Sequence, residues 1–334
     1  MKFVKFRSIE NLTRTAFLKR VQTQALTGGE WAVTEKVHGG NFSLWFDGTD
    51  FKMAKRSSFL GEETTFFGAD VIKDELEKKT KVLWENLSEK NQPLEIAIFG
   101  EMFGGFMFGK KTIGKKIQKG IAYCPDNKFM AFDVVKNGEY LSVDVCNNLL
   151  DEAGFFKAET LFRGTFDECV AYPNQFNSKI WEQLTGEVIE EENICEGVVI
   201  RPVEPKYLKC GSRVIIKNKN EKWTEKAKAP RKLRDQHKFT EDGQKVLDIA
   251  SMCVTENRLR NVLSKFEKVT NKDFSKIMKA IMEDIMEELH KDEEYLNLAN
   301  CLENTELHLV QKSLGKMAAS LIGSNFTNII DGEF

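Results

Sequence analysis

The spacing of apolar residues divides the chain into two parts. In the first, apolar and polar positions alternate in short runs, the period of two that marks strands. Trp31, Val33 and Glu35 alternate with Ala32, Thr34 and Lys36, which places Lys36 at a strand's end, just before a turn at Gly39-Gly40. Residues 41–46 and 51–55 are β-rich, and Asp47-Gly48-Thr49-Asp50 between them is a hairpin signal. The stretch LEIAIFGEMFGG is apolar on both parities and predicts a buried strand that stops at Gly100-Glu101, before a glycine-rich loop. KFMAFDVVKNGEYLSVD predicts another, turning at Asn137-Gly138. EGVVIRP and SRVIIKNKN close the series. On the latter, Ile215, Lys217 and Lys219 share a face, so both amines point the same way.

Helices are expected over residues 11–24, 70–87 and 144–156, with a short one inside 173–186; Val71, Leu76, Val82 and Leu83 are the apolar positions of the second. Beyond residue 239 no strand pattern remains. Thr240 is expected to cap a helix reaching Val254, and Thr255 one whose Leu259, Val262, Leu263 and Phe266 fall at i, i+3, i+4 and i+7. Asp273 would cap a third, with Phe274, Ile277, Met278, Ile281, Met282, Ile285 and Leu289 on one face, and a last helix covers 305–322. Residues 227–239, charged and containing a proline, read as a linker. The fold class is therefore α+β, followed by an all-α region whose apolar stripes are packing faces.

A length of 334 residues allows two domains with separate cores, and 41% hydrophobic with 30% charged residues is the make-up of a soluble globular protein. No apolar run approaches the roughly 18 residues of a membrane span, and MKFVKFRSIENLTRT lacks the apolar block of a secretory signal; a cytoplasmic location is expected. Seven scattered cysteines without a CxxC pair, and four dispersed histidines, point to reduced thiols rather than structural zinc. The net charge of −2 conceals a segment: residues 206–238 hold twelve Lys or Arg against three Asp or Glu, a balance of +9, leaving −11 for the remainder. Such a run is either a solvated face or a phosphate-binding one.

Lys36 at a strand end is a phosphate clamp or a nucleophile. As a nucleophile it must first lose its proton, which desolvation or a nearby second cation encourages. Strand ends are expected to present, with it, His38, Asn41, Arg56, Glu101, Phe132 with Asp133, Glu196, Lys217 and Lys219. Singly, each has an ordinary explanation: a turn hydrogen bond for His38, surface ion pairs for the carboxylates, core packing for Phe132. Their joint order is harder to dismiss. Gly109-Lys110-Lys111-Thr112-Ile113-Gly114-Lys115-Lys116 nearly matches a Walker loop but lacks its final Ser or Thr and any strand-loop-helix context. It is kept as a basic loop beside the site, in reach of substrate.

EKVHGGNF, AKRSS, IFGEMF, FMAFDVV, EGVVIRP and VIIKNKN resemble, in order, the six motifs of covalent nucleotidyltransferases, and most closely those of the RNA ligase 2 family of phage-type double-stranded-RNA nick sealers, related to the trypanosome RNA-editing ligases. His38, where the wider superfamily has Asp, is a mark of that branch; Gly40 departs from it, since threonine is expected there. The resemblance implies an N-terminal adenylyltransferase domain (1–235) of antiparallel sheets flanked by helices and a helical domain (236–334) for engaging a nicked duplex. It implies ATP-dependent sealing of 3′-hydroxyl/5′-phosphate nicks through lysyl-adenylate and RNA-adenylate intermediates.

By the same resemblance Lys36 is the nucleophile, and Lys217 and Lys219 offset charge on the phosphates. Glu101 holds the ribose hydroxyls, Phe132 stacks on adenine, and the backbone of Glu35 and Val37 reads its edge. His38 belongs to the nucleotide site, Asn41 and Arg56 contact sugar and phosphate, and Glu196 lies near a divalent ion, Mg2+ or Mn2+. The expected partner is nicked double-stranded RNA or an RNA-containing duplex, met by a monomer in the cytoplasm, the host's if the chain is phage-encoded. The rivals are a related DNA ligase or guanylyltransferase, and a catalytically silent nucleic-acid-binding module, which would have no need of a nucleophile.

Overall fold

The alternating segments fold into eleven strands among the described residues: β1 (Glu10–Asn11), β2 (Trp31–Glu35), β3 (Gly40–Phe46), β4 (Phe51–Lys55), β5 (Ser58–Phe59), β6 (Ile96–Phe106), β7 (Cys124–Lys136), β8 (Glu139–Tyr140), β9 (Thr160–Gly164), β10 (Gly197–Pro202) and β11 (Ile216–Lys219). The structure is a computed structural model that describes residues 1–61, 64–89, 92–117, 120–224, 239–266 and 268–334; the expected linker lies outside them except for Phe239. Two compact units result, Met1–Lys222 and Trp223–Phe334. All seven cysteines are free.

In the first unit the strands form a five-stranded sheet, ordered β1-β11-β10-β2-β9, and a six-stranded sheet, ordered β5-β4-β3-β6-β7-β8. Every named pairing is antiparallel except β1 with β11. Five helices complete it: α1 (Thr15–Thr23), α2 (Lys73–Leu87), α3 (Val143–Glu152), α4 (Phe166–Val170) and α5 (Ile180–Thr185).

The period of two sorts side chains into three layers. Phe42, Leu44, Ile98 and Met102 of the six-stranded sheet pack with Leu76 and Leu83 of α2 and Leu150 of α3. On the outer face of the other sheet, Trp31, Val33, Val198 and Ile200 meet Phe17 and Val21 of α1. The opposed inner faces contribute Trp45, Ala97, Phe99 and Val135 from one sheet, against Val199 of the other and Ile215, just before β11. A buried ion cluster ties these inner faces together. Asp133 of β7 accepts from both terminal nitrogens of Arg213, at 2.7 and 2.9 Å, and from Arg201 of β10 at 2.8 Å.

Several expectations are corrected. β6 does not stop at Glu101 but runs on to Phe106, because bulges after Phe99 and after Gly104 absorb the glycines. Glu101, Phe132 and Asp133 are thus within strands, not at their ends. The first helix starts at Thr15, since Asn11 pairs with Lys217 in β1–β11. α2 starts at Lys73, so Val71 lies before it and is 82% exposed; Val82 is exposed as well, and Leu76, Thr80 and Leu83 form its buried stripe. β9 and α4, the latter held by a Thr165/Glu168 capping box, were not expected.

The second unit is all helical among the described residues: α6 (Glu241–Ser251), α7 (Glu256–Leu263), α8 (Phe274–Leu289), α9 (Glu293–Ala299) and α10 (Asn304–Ile330). Thr240 and Thr255 accept from Gly243 and Arg258 N–H groups as N-caps. Asp273 takes the N-cap position of α8 as expected, but its side chain makes no capping bond; the carboxylate turns back to the Thr270 backbone and hydroxyl and pairs with Lys276. α9 was not expected, and α10 runs eight residues past the expected end at 322. Ile277, Ile281, Ile285 and Leu289 are buried against Leu259, Val262, Leu314 and Leu321. No helix among the described residues is long and apolar enough to cross a membrane.

Candidate active site

Lys36 extends β2 by one residue: its N–H donates to the Gly197 carbonyl at 2.9 Å, continuing the β2–β10 ladder. Across the sheet Gly197 pairs with Lys219 on its other side. The two lysines therefore flank a residue with no side chain. A Cβ at Gly197, whose φ is +142°, would stand 2.1 Å from the Asn218 carbonyl oxygen, so glycine is required by both conformation and space.

Glu196, 1% exposed, closes this row. Its Oε2 lies 2.8 Å from Lys36 Nζ and 3.2 Å from His38 Nδ1, and its Oε1 lies 2.7 Å from Lys219 Nζ. Burial works against its ionisation, but the ammoniums of Lys219 and Lys36, with the His38 hydrogen bond, outweigh it and hold the carboxyl well below the ordinary range. Burial lowers the pKa of His38, more than Glu196 raises it. A neutral imidazole that meets a carboxylate through Nδ1 carries its hydrogen on that nitrogen. The cluster so assembled holds two ammoniums against one carboxylate, an excess of positive charge facing the gap between the sheets. Lys36 thus has an anion as its immediate neighbour, where the sequence reading placed Lys217 and Lys219 against it.

Lys217 sits two residues before Lys219 on the same face of β11, opposite Val199. The six-stranded sheet supplies the other side. Asn41 and Glu101 are directly paired across β3 and β6, on the inner face that also carries Phe99. Burial raises the Glu101 pKa to about 7, only partly countered by Lys36 and Arg56, with Glu196 adding to the rise and the Gly39 N–H opposing it. Those causes place Lys36, Arg56 and Glu196 within electrostatic reach of Glu101. A Cβ at Gly39 would lie 2.1 Å from the Met102 carbonyl oxygen, so the turn after Lys36 is pressed directly onto β6.

Phe132 occupies the bulge of β7: Asp133 pairs with Phe99 and Ala131 with Gly100, leaving Phe132 without an opposite residue. Its ring is half-buried in the inner layer, 5.2 Å from Phe6, and its carbonyl accepts from Arg201 at 2.8 Å.

The Glu35 side chain does not join this set. It points to the opposite face of β2, where it accepts from the Ser178 hydroxyl at 2.6 Å and the Lys179 N–H at 2.9 Å, and burial raises its pKa to about 7 despite both bonds. Val37 is buried. Gly40 has a local cause: a Cβ there would come 3.2 Å from the Phe66 ring, so the aromatic pair Phe66–Phe67 fills the space a threonine would need.

Sequence reasoning missed Tyr123, whose buried hydroxyl accepts from the His38 N–H at 2.9 Å, and it gave no role to Arg201 or Arg213. Their partners are remote in sequence, and no local pattern flags them. No group of three or more His, Cys, Asp or Glu able to hold a metal ion exists among the described residues. Two neighbouring carboxylates, Glu196 and Glu101, nevertheless suit a hard divalent ion that keeps most of its ligands as water and phosphate oxygen.

A family model described as RNA ligase matches residues 29–219, a span that includes every residue of this site. The chain belongs to the RNA ligase family. A second model, T4 RNA ligase 2 C-terminal, matches residues 236–320 and puts this ligase-family chain in the RNA ligase 2 branch. It is similar to mitochondrial RNA-editing ligase 1 of Trypanosoma brucei brucei, with 29% identity over 239 residues, 60% of this chain and 51% of the relative. It is also similar to RNA-editing ligase 2 of the same organism, with 27% identity over 294 residues, 71% of this chain and 70% of the relative. The chain thus spans about half the length of the first of these relatives. Among solved structures, a Naegleria gruberi RNA ligase with PPi matches 66% of this chain and 57% of its own, at 15% identity and a TM-score of 0.44.

Proposed function

We propose that this chain is an ATP-dependent RNA ligase that seals 3′-hydroxyl/5′-phosphate nicks in duplex RNA. The observation that carries the reading is the Lys36–Glu196–Lys219 row, an amine held against a second cation by a shared buried carboxylate.

In this reading Lys36 Nζ, once deprotonated, attacks the α-phosphorus of ATP; an N–P bond forms and the P–O bond to pyrophosphate breaks. An ammonium has no lone pair to give, so Lys36 must first leave its contact with Glu196 and pass a proton to solvent. Lys219 and Lys217 are set in advance to offset charge on the phosphate oxygens. A divalent ion, Mg2+ or Mn2+, would be held by Glu196 with Glu101 beside it and would neutralise triphosphate charge. Glu196 pairs with both Lys36 and Lys219 and would hold such an ion only on giving up one of these contacts.

Phe132 stacks on adenine, the backbone of Glu35 and Val37 reads its edge, Glu101 and Asn41 meet the ribose, and Arg56 grips phosphate. The AMP passes to the 5′-phosphate of the nick, and attack by the 3′-hydroxyl expels it. A-form shape and 2′-hydroxyls are what would distinguish RNA from DNA. One chain carries the whole residue set, which supports action as a monomer, and free thiols suit a reducing cytoplasm. The helical unit engages the duplex through a local face rather than bulk charge, because residues 239–334 hold eleven Lys or Arg against seventeen Asp or Glu, a balance of −6.

The test is incubation with α-labelled ATP, mapping of the modified residue, and sealing assays on nicked RNA and all-DNA duplexes. Label on Lys36 with RNA sealing supports the reading; label from GTP only, or sealing of DNA only, replaces it with one of its relatives. Phe132→Ala is expected to raise the ATP concentration for half-maximal labelling roughly 5- to 150-fold, since stacking on an aromatic ring is worth about 1–3 kcal/mol per base. Unchanged ATP dependence would assign that ring to the core alone.

A further inference from the structure

The near-Walker stretch takes no part in the site described above. It lies between β6 and β7, with no helix following it, so the strand-loop-helix frame of a phosphate loop is absent there. Between Glu101 and Asp126 the sequence has five lysines and no carboxylate, and four of these, Lys110, Lys111, Lys115 and Lys116, are exposed among the described residues.

The loop carrying them is firmly held. The Asn127 side chain accepts from Lys115 N–H at 2.7 Å and donates to the Lys115 carbonyl at 2.6 Å. Ile113 and Gly114 N–H groups both donate to the Pro125 carbonyl, at 2.8 and 3.0 Å. Gly105, at φ +79°, lets β6 approach so closely that a Cβ would stand 2.1 Å from the Lys115 carbonyl oxygen. Two of the ammoniums are also braced by rings: Lys116 lies 4.4 Å over Phe106, and Lys110 lies 4.5 Å over Trp181, with Glu187 at 3.5 Å. Tyr123, where the loop returns, is the acceptor for His38 N–H, so the loop is anchored to the Lys36 turn.

From this we infer that residues 108–116 form a second, pre-set contact for the phosphodiester backbone of RNA, separate from the adenylate site. The inference rests on the ligase reading for the identity of the polyanion. Five strand steps from Glu101 to Phe106 span about 17 Å, a distance of several base-pair steps along a duplex. The loop therefore meets phosphates several nucleotides away from the reacting ends. It supplies the positive charge that residues 239–334, at −6, lack in bulk.

The test replaces Lys110, Lys111, Lys115 and Lys116 together by Gln in the full chain and measures binding to a nicked RNA duplex between about 50 and 200 mM salt. Each lost phosphate contact flattens the plot of log affinity against log salt by about 0.9, so a decrease of about two to four is expected, with sealing slowed at least tenfold. Labelling by ATP should be unchanged, which also shows that the variant is folded. The same four positions as Arg should restore slope and sealing. A parental slope in the Gln variant overturns the inference, as does a loss of slope that Arg fails to restore. Because the slope is read by binding alone, a parent that binds RNA but takes no label from ATP refutes the ligase reading without touching this one.

Discussion

Lys36→Ala should abolish covalent labelling from α-labelled ATP, a loss of at least about a thousandfold that reaches the detection floor. The expectation follows from position rather than residue type. Lys219 is as close to Glu196 as Lys36 is, yet it stands on the far side of Gly197, in β11, where it cannot occupy the vacated place without leaving its ladder. Lys36→Arg should be equally silent, because a guanidinium stays protonated and has no lone pair to offer. Neither change should unfold the protein: Lys36 is partly exposed, and Glu196 keeps Lys219 and His38 as partners, so no buried charge is orphaned. Label that persists in Lys36→Ala would move the nucleophile elsewhere, Lys219 being the first place to look.

Lys36 and its motif were legible in the sequence because a strand, a turn and a glycine pair are local features, each with its own periodicity or dihedral demand. The same holds for the helix caps at Thr240 and Thr255. Glu196 was legible as a member of the set but not as its hub: its bonds reach across 160 residues to Lys36, and no spacing rule encodes such a contact. Glu101 was misplaced at a strand end because of the glycines that follow it. Glycine reads as strand termination, yet at Gly104 and Gly105, with φ of +96° and +79°, it permits a bulged strand to continue past the point where an ordinary residue would stop it. The bulge at Phe132 has no glycine to betray it; it is imposed by pairing with β6. α9 and the tail of α10 were missed because their apolar positions are filled by Tyr295, Ala299 and Ile329, too sparse for a clear period of 3.6.

Asp133→Ala should cost the N-terminal unit at least about 3 kcal/mol, the scale found when one partner of a buried ion pair is removed. Asp133, Arg201 and Arg213 have side chains 1%, 5% and 4% exposed, so the two guanidiniums would be left without a carboxylate and without water. The loss is not confined to stability. Arg201 NH1 bonds both Asp133 Oδ1 and the Phe132 carbonyl, so the carboxylate steadies the group that fixes the bulge. Tryptophan fluorescence during urea unfolding reads the effect, because four of the five tryptophans, Trp31, Trp45, Trp84 and Trp181, lie in that unit. Arg201→Met should cost less, since the two-pronged Arg213–Asp133 contact survives it, and replacing all three residues by apolar ones of similar volume should recover much of the stability. A shift in Asp133→Ala below about 1 kcal/mol, the range of exposed pairs, would mean that water reaches the cluster and that the inner faces are held by packing alone. A recovered triple variant that folds but needs more ATP for labelling would separate the two roles, leaving packing to join the sheets and the ion cluster to aim Phe132.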